Sequence, residues 1–410
     1  MEQSPRQELL YENKNYLDAI RTVQFFPAGE EGNLPILTLG TADKLLVSFD
    51  DLRGDVRNYY FSIEHCDANW QPSRLHAMDY ATGFNEDSIE DYRTSQGTFQ
   101  KYTHYSFSFP NEYIAPKVAG NYLLKVYEDA DKDRLVLTRK FYVVRPLIQV
   151  DTKIGPSLRA QNRLSHQKLD VVIRSSAVSM SNPHRDVQVH VLQNQREDNM
   201  QVLTKPMFMS NEEVKYNSSE TLDFRGNNEF RYLDIRSTKS ASAQVLSLDA
   251  DTAVHATLFP DRDNSHSVYG STYDENGKFF IRNMDHADEN YQSDYAYVTF
   301  SLQTNQSPDG DIYVVGGFNN YNRTDENRLR FDEESQSWQV TLPLKQGLYD
   351  YEYVVQTRDG QVLTDAFSNS FFDTGNDYLV LVYHRRTGTY WDEILGVGKI
   401  SINNKINKNL

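Results

Sequence analysis

Hydrophobic and polar positions alternate one by one along most of this chain, the period of a strand with one packed face and one wetter face. The segments KLLVSFDDL (44–52), RNYYFSIEHC (57–66), THYSFSF (103–109), NYLLKVYED (121–129) and RLVLTRKFYVV (134–144) carry the pattern, with turn chemistry between them. Helical periodicity is hinted at only in a single turn around 85–92. These runs predict an N-terminal β-sandwich over 14–147. A middle β-rich domain is expected over 148–290, with strands at 168–176, 186–194 and 229–237 and an Asn-Gly hairpin in DENGKFFIR (274–282). The polar run NMDHADENYQSD (283–294) is expected to be a linker, and 291–400 an immunoglobulin-like sandwich of the early-set or glycogen-binding-module kind. The expected fold class is therefore all-β, with three linked β-sandwich domains.

Composition sharpens this picture. Twenty-seven tyrosines and 21 phenylalanines in 410 residues suit half-buried pleated surfaces. A formal charge of −16 repels phosphate backbones, so nucleic-acid binding is not expected. A single cysteine forms no internal disulfide and completes no cysteine-based zinc site. The N-terminal MEQSPRQELLYENKNY lacks the apolar core of a leader, which fits a cytoplasmic protein or a mature exported chain equally well.

Four stretches carry candidate chemistry. In YYFSIEHCDANW (59–70), His65 stands beside Cys66, but neighbours on a strand face opposite ways, so the thiol is expected to be a packed group and not a nucleophile. EDADKD (128–133) spaces Asp129, Asp131 and Asp133 like the start of a calcium loop, then fails at Arg134 and Lys140, where glycine and glutamate are needed. GGFNNYN (316–322) resembles the turn of starch- and glycogen-binding modules, with Tyr321 as the sugar-stacking ring; the plainer expectation is a turn with Phe318 in the core. The 27 residues 71–97 carry no strand signal yet hold Met78, Tyr80, Phe84, Ile89 and Tyr92, too many anchors for plain disorder. That stretch is either a functional loop or one folded back over its own sheet.

Longer motifs then resemble one family. AIRTVQFFP, LPILTLGTADKLLVSFDDL, YYFSIEHCDANWQPSRL, TGFNEDSIEDY, YTHYSFSFPN and GNYLLKVYEDAD, followed by GDIYVVGGFNNYN, LPLKQGLYDYEYVV and NDYLVLVYHRRTGTYWDEILG, resemble in order the plug protein of the Bacteroidota type IX secretion system. The resemblance covers about residues 14–400, most weakly in the middle. It implies a non-enzymatic periplasmic protein whose partner is the large outer-membrane β-barrel of the translocon. It further implies that the protein closes the periplasmic mouth of that barrel when no substrate passes. No cofactor, metal, nucleic acid or membrane insertion is expected, and the free protein is expected to be monomeric. Given that role, the 71–97 loop is the expected contact, with Tyr80, Phe84 and Tyr92 as anchors and Glu90 and Asp91 as rim charges. The alternative is a periplasmic carbohydrate-binding protein using the C-terminal sandwich.

Overall fold

The computed structural model describes residues 4–83, 86–180, 182–210, 212–306 and 308–402. The fold is all-β, as expected: helix is confined to single turns such as Ala77–Tyr80 and Pro183–Asp186. In the N-terminal sandwich, one sheet runs Ile20–Pro27, Leu45–Asp51, Thr103–Phe109, Asp91–Thr94. It faces the strands Asp87–Ile89, Tyr59–Cys66, Gly120–Glu128 and Leu135–Val144 of a ten-stranded sheet. The aromatic residues meet between these layers. Phe49 stacks on Tyr105 at 5.2 Å, Phe61 on Phe107 at 4.3 Å, and Phe109 meets Phe141 edge-on at 5.2 Å.

The ten-stranded sheet does not stop at the end of that domain. Its other half consists of Glu393–Ile402, Asn376–His384, Val187–Gln193 and Gln201–Leu203. The halves join where Val144 pairs in parallel with Ile394 and the Arg145 N–H donates to the Ile394 carbonyl at 2.9 Å. Over this second half lies a five-stranded sheet that includes Gln149–Pro156, His166–Arg174 and Glu213–Tyr216. Leu169, Val171, Val189, Val191, Val380, Val382 and Leu395 form the shared core.

The hydrophobic cores divide the chain differently from the expected boundaries at 148–290 and 291–400. Leu233, Val245, Val254, Ala256 and Ile281 pack with Val298, Phe300, Ile312, Tyr351 and Tyr353, so the segment from about 230 to 281 belongs to the third sandwich. Conversely, Tyr378, Val380 and Val382 complete the middle one. The third sandwich is thus inserted between two strands of the second. Alternation marks each strand but is silent about its partner, so an insertion reads as a simple succession. The entry and exit crossings lie side by side: Phe371 N–H donates to the Asn227 carbonyl at 2.9 Å, and a β-carbon on Gly226 would fall 1.8 Å from the Phe371 carbonyl oxygen.

Two local expectations are also revised. Asn276 and Gly277 form a left-handed turn at φ 55° and 84°, but only its downstream flank is a strand, and Phe279–Ile281 pairs with Gly347–Tyr349 instead of closing a hairpin. The polar 283–294 run is not a free linker. Tyr102 Oη donates to the carbonyls of Asn290 at 3.1 Å and Ser293 at 2.8 Å, and Asp294 accepts the Phe99 N–H at 2.6 Å.

That contact is part of a polar seam between the first and third sandwiches. Asp50, fully buried, accepts from Lys345 Nζ, Tyr295 Oη and His104 Nδ1, each at 2.7 Å. Burial alone would raise the Asp50 carboxyl; the Lys345 ammonium and the His104 bond outweigh it and hold it below its ordinary value. Lys345 also lies 4.3 Å over the Tyr102 ring. The seam between the first and middle sandwiches is mainly apolar: Cys66, Trp70, Leu123, Tyr142, Leu192, Leu381, Tyr383 and Ile394 share one cluster, crossed by a buried hydrogen bond from Tyr383 Oη to Asn121 Oδ1 at 2.7 Å and flanked by the Lys140–Glu197 pair at 2.7 Å.

Candidate interaction surface

The 71–97 stretch is a structured edge crossing, not a loop without strands. A turn of helix, Ala77–Tyr80, leads into Ala81–Gly83, which pairs with Ile114–Pro116. Asp87–Ile89 then adds to Tyr59–Phe61 at the edge of the large sheet, and Asp91–Thr94 adds to Thr103–Ser106 at the edge of the opposite one. The segment therefore closes one side of the sandwich by passing from sheet to sheet. This corrects the expected helical turn at 85–92 for the residues described. Gly83 is required by the crossing: it sits at φ 83°, and a β-carbon there would fall 1.7 Å from the Tyr113 carbonyl oxygen.

The predicted contact residues separate on this frame. Tyr80 is 9% exposed and belongs to the N-terminal core, its ring edge-on to Tyr122 at 6.1 Å and near His65 at 6.2 Å. Its place as an outward anchor is corrected: the one-turn helix points it inward. Phe84 lies outside the described residues. Glu90 and Asp91 are exposed; Glu90 accepts from Ser88 Oγ at 3.2 Å and Asp91 from Ser106 Oγ at 2.6 Å. Tyr92 is 45% exposed, with its other side tilted against Tyr105 at 5.8 Å. Met78, one of the apolar residues noted in this stretch, is 78% exposed, and Tyr113, which the sequence reading did not single out, is 46% exposed at the strand turn behind it. Met78 stood in the sequence as a long apolar side chain in a stretch without strand signal, whereas Tyr113 required knowing that 114–116 pairs with 81–83.

Pairing here leaves a semi-rigid acidic rim. Glu86 accepts from Tyr127 Oη at 2.9 Å and Asp87 from Asn111 Nδ2 at 2.7 Å. Arg93 lies over the Tyr291 ring at 5.3 Å, fastening the strand Asp91–Thr94 to the third sandwich. The surface thus offers half-exposed rings among carboxylates on a fixed backbone, the composition of a protein contact with charged margins.

The other candidate groups are buried or tied to neighbouring residues. His65 is buried, its Nε2 3.4 Å from the Ala119 carbonyl, and burial pushes it down to about 4, which keeps it neutral. Cys66 points to the opposite side, into the apolar seam; burial and then the charges of Glu64 and Asp67 push its thiol up, away from the nucleophilic thiolate. Asp131 is held by Arg6 at 3.3 Å and Arg134 at 3.4 Å, and Asp129 by Arg134 at 3.6 Å, at a hairpin tip where Asp129 and Ala130 are left-handed. Tyr321 is 7% exposed: Arg196 covers its ring at 4.4 Å and bonds Asp198 at 2.8 Å and Glu352. The ring face that the sugar-binding alternative needs is therefore not presented to solvent. Phe318 is partly buried against Tyr349 at 5.7 Å.

Comparison with known proteins agrees with the motif resemblance. Residues 20–145 match the family model described as Type 9 secretion system plug protein 1st domain, which supports placing this chain in the type IX secretion plug family. The crystal structure of a hypothetical protein from Parabacteroides merdae superposes with a TM-score of 0.92 at 27% identity, over 96% of this chain and 100% of that one. No curated protein matches. Among the described residues, no helix is long and apolar enough to cross a membrane.

Proposed function

We propose, on the premise of a plug-family first domain at 20–145, that this chain closes the periplasmic opening of the type IX translocon barrel when no substrate is passing. The family match carries this reading. In this reading the protein works in the periplasm, held to the outer membrane through the translocon, as a binding and sealing body without catalysis.

The architecture supports it physically. A seal against a wide pore must resist deformation, and here one sheet runs through two sandwiches while a buried ionic seam fixes the third. A seal must also leave, which favours a modest contact with anchors and a charged margin over an obligate apolar face. The surface of Met78, Tyr92 and Tyr113, rimmed by Glu90 and Asp91, has that composition.

Affinity purification of the tagged protein from its native membrane tests the proposal. A very large outer-membrane barrel should co-purify, and Tyr92→Ala combined with Met78→Ser should reduce its recovery while leaving the fold intact. Recovery of the plug without any barrel protein would refute the function. Unchanged recovery with the double variant would move the contact elsewhere on the body.

A further inference from the structure

Where the three sandwiches meet, a chamber of about 420 Å³ opens, and a second of about 720 Å³ lies beside it between the first and third sandwiches. Val23, Arg139, Phe279, Asn320, Asn322 and Arg323 line both. Arg139 is the unusual member. It stands in the strand Leu135–Val144, between Leu137 and Phe141 of the apolar core, and is 5% exposed. Its Nη1 donates to the carbonyls of Lys14 at 3.0 Å and Thr138 at 2.8 Å, and its Nη2 to Asn15 Oδ1 at 2.6 Å. A guanidinium has five N–H donors. Among the described residues, Nε–H and one Nη2–H therefore have no acceptor.

Among the described residues, no carboxylate pairs with Arg139. The other buried cations among the described residues differ: Arg196 has Asp198 and Glu352, Lys345 has Asp50, Arg57 has Asp55 and Glu128, and Lys168 has Asp170 at 3.5 Å. Burial without a counter-charge pushes Arg139 down to about 9. A buried cation left without its anion is a standing cost to the fold.

The surroundings carry further unspent donors. Arg323 gives Nη1 to Asp198 at 3.2 Å and to the Tyr321 carbonyl at 3.1 Å, but its Nε is buried without a partner. Arg21, on the wall of the larger chamber, is engaged by Glu326 and likewise has a buried, unpartnered Nε. Of the carboxylates lining the smaller chamber, Glu197 pairs with Lys140 and Asp198 with Arg196, while Glu12 is exposed and lies 3.7 Å from Lys14. The wall is also locally strained. The strand Ile20–Pro27 slips register between Arg21 and Gln24, and Thr22, a β-branched residue, sits at φ 50° beside Val23.

We infer that this three-domain cavity is a binding site for a carboxylate-bearing ligand, which Arg139 grips through its free N–H pair with Arg323 at the rim. A planar carboxylate matches two guanidinium donors at once, and the neighbouring Asn320 and Asn322 amides suit a polar body behind it. The carboxylate comes either from a free organic acid or from the carboxyl terminus of a peptide. The inference does not depend on the plug reading.

Calorimetry and thermal shift on the full chain, in carboxylate-free buffer, test it with three probes: succinate, tetra-alanine with a free carboxyl terminus, and tetra-alanine amide. At least one free acid should bind and raise the melting temperature, and the amide should bind at least tenfold more weakly than the acid peptide. Binding of succinate alone identifies a free acid as the source, and binding of the acid peptide alone a chain terminus. Arg139→Gln should remain folded and lose at least tenfold in affinity; should it fail to fold, Arg323→Gln should weaken binding several-fold. No binding of either acid at millimolar concentration, or equal binding by wild type and by whichever variant folds, would overturn the site and leave Arg139 a structural residue.

Discussion

The first sandwich is held to its two neighbours by opposite means. Toward the middle sandwich it shares a sheet and an apolar cluster in which Cys66, Leu381 and Ile394 interlock. Toward the third it presents a buried carboxylate, Asp50, to Lys345, Tyr295 and His104. The apolar seam tolerates change in proportion to volume, since dispersion and burial are summed over many atoms. The polar seam is all-or-none, because removing one partner strands the other charge away from water. The first seam therefore provides bulk stiffness, and the second fixes one orientation of the third sandwich.

The largest expected effect tests that contrast. Lys345→Met leaves Asp50 buried without its cation and should cost about 3–5 kcal/mol in denaturant unfolding. Adding Asp50→Asn should return a large part of that loss. If the single variant costs under about 1 kcal/mol, the polar seam is a wet contact and not a lock. At the apolar seam, Leu381→Ala should cost about 2–5 kcal/mol from lost burial and a residual cavity, with no rescue from any charge change nearby.

A third test uses pH. At the junction of the third and middle sandwiches, burial pushes Asp274 up to about 7, and burial together with Asp274 pushes Asp350 up to about 8. Asp350 accepts the N–H groups of Glu275 at 2.6 Å and Gly277 at 3.1 Å. The folded state then holds protons that the unfolded chain, with carboxyls near about 3.9, has released. Stability supplied by these groups is lost as pH rises toward 8. Buried His65 and His190, both pushed down to about 4, act in the opposite sense, but only below the unfolded histidine value of about 6.5. Between about pH 6.5 and 8 the unfolding midpoint should therefore fall, and Asp350→Asn should flatten that decline. A midpoint equally steep in the variant would remove Asp350 from the explanation.

The smallest effect belongs to Cys66. Its replacement by alanine removes one sulfur from the apolar seam, about 1 kcal/mol, and should leave sealing intact. Thiol labelling of the native protein should be slow and should accelerate only on unfolding. Rapid labelling in the native state would mean that the seam opens.

These seams show how far the sequence could be read. The alternation in YYFSIEHC placed a strand at Tyr59–Cys66 and correctly turned His65 and Cys66 to opposite faces. It did not reveal that Cys66 faces another sandwich, because apolar partners such as Leu381 are interchangeable at the level of pattern. Asp50 and Lys345 are 295 residues apart, and each reads as an ordinary charge at a strand end. The insertion of the third sandwich was hidden for the same reason: Val380 and Val382 alternate as well beside Val189 and Val191 as they would beside any strand. At the candidate surface, Glu90, Asp91 and Tyr92 are exposed as their residue types suggested, but Tyr80, expected to face outward as well, is buried. Four residues of helix, too short to show a period, decided its direction.

The central claim is that this rigid body seals an otherwise open pore. Entry of a large antibiotic that the outer membrane normally excludes measures it directly, in cells lacking the protein and in cells supplied again with the wild type. The deletion should sensitise cells that keep the barrel, and the wild-type chain should restore exclusion. An outer membrane that stays equally tight without the protein, with the barrel present, would contradict the account.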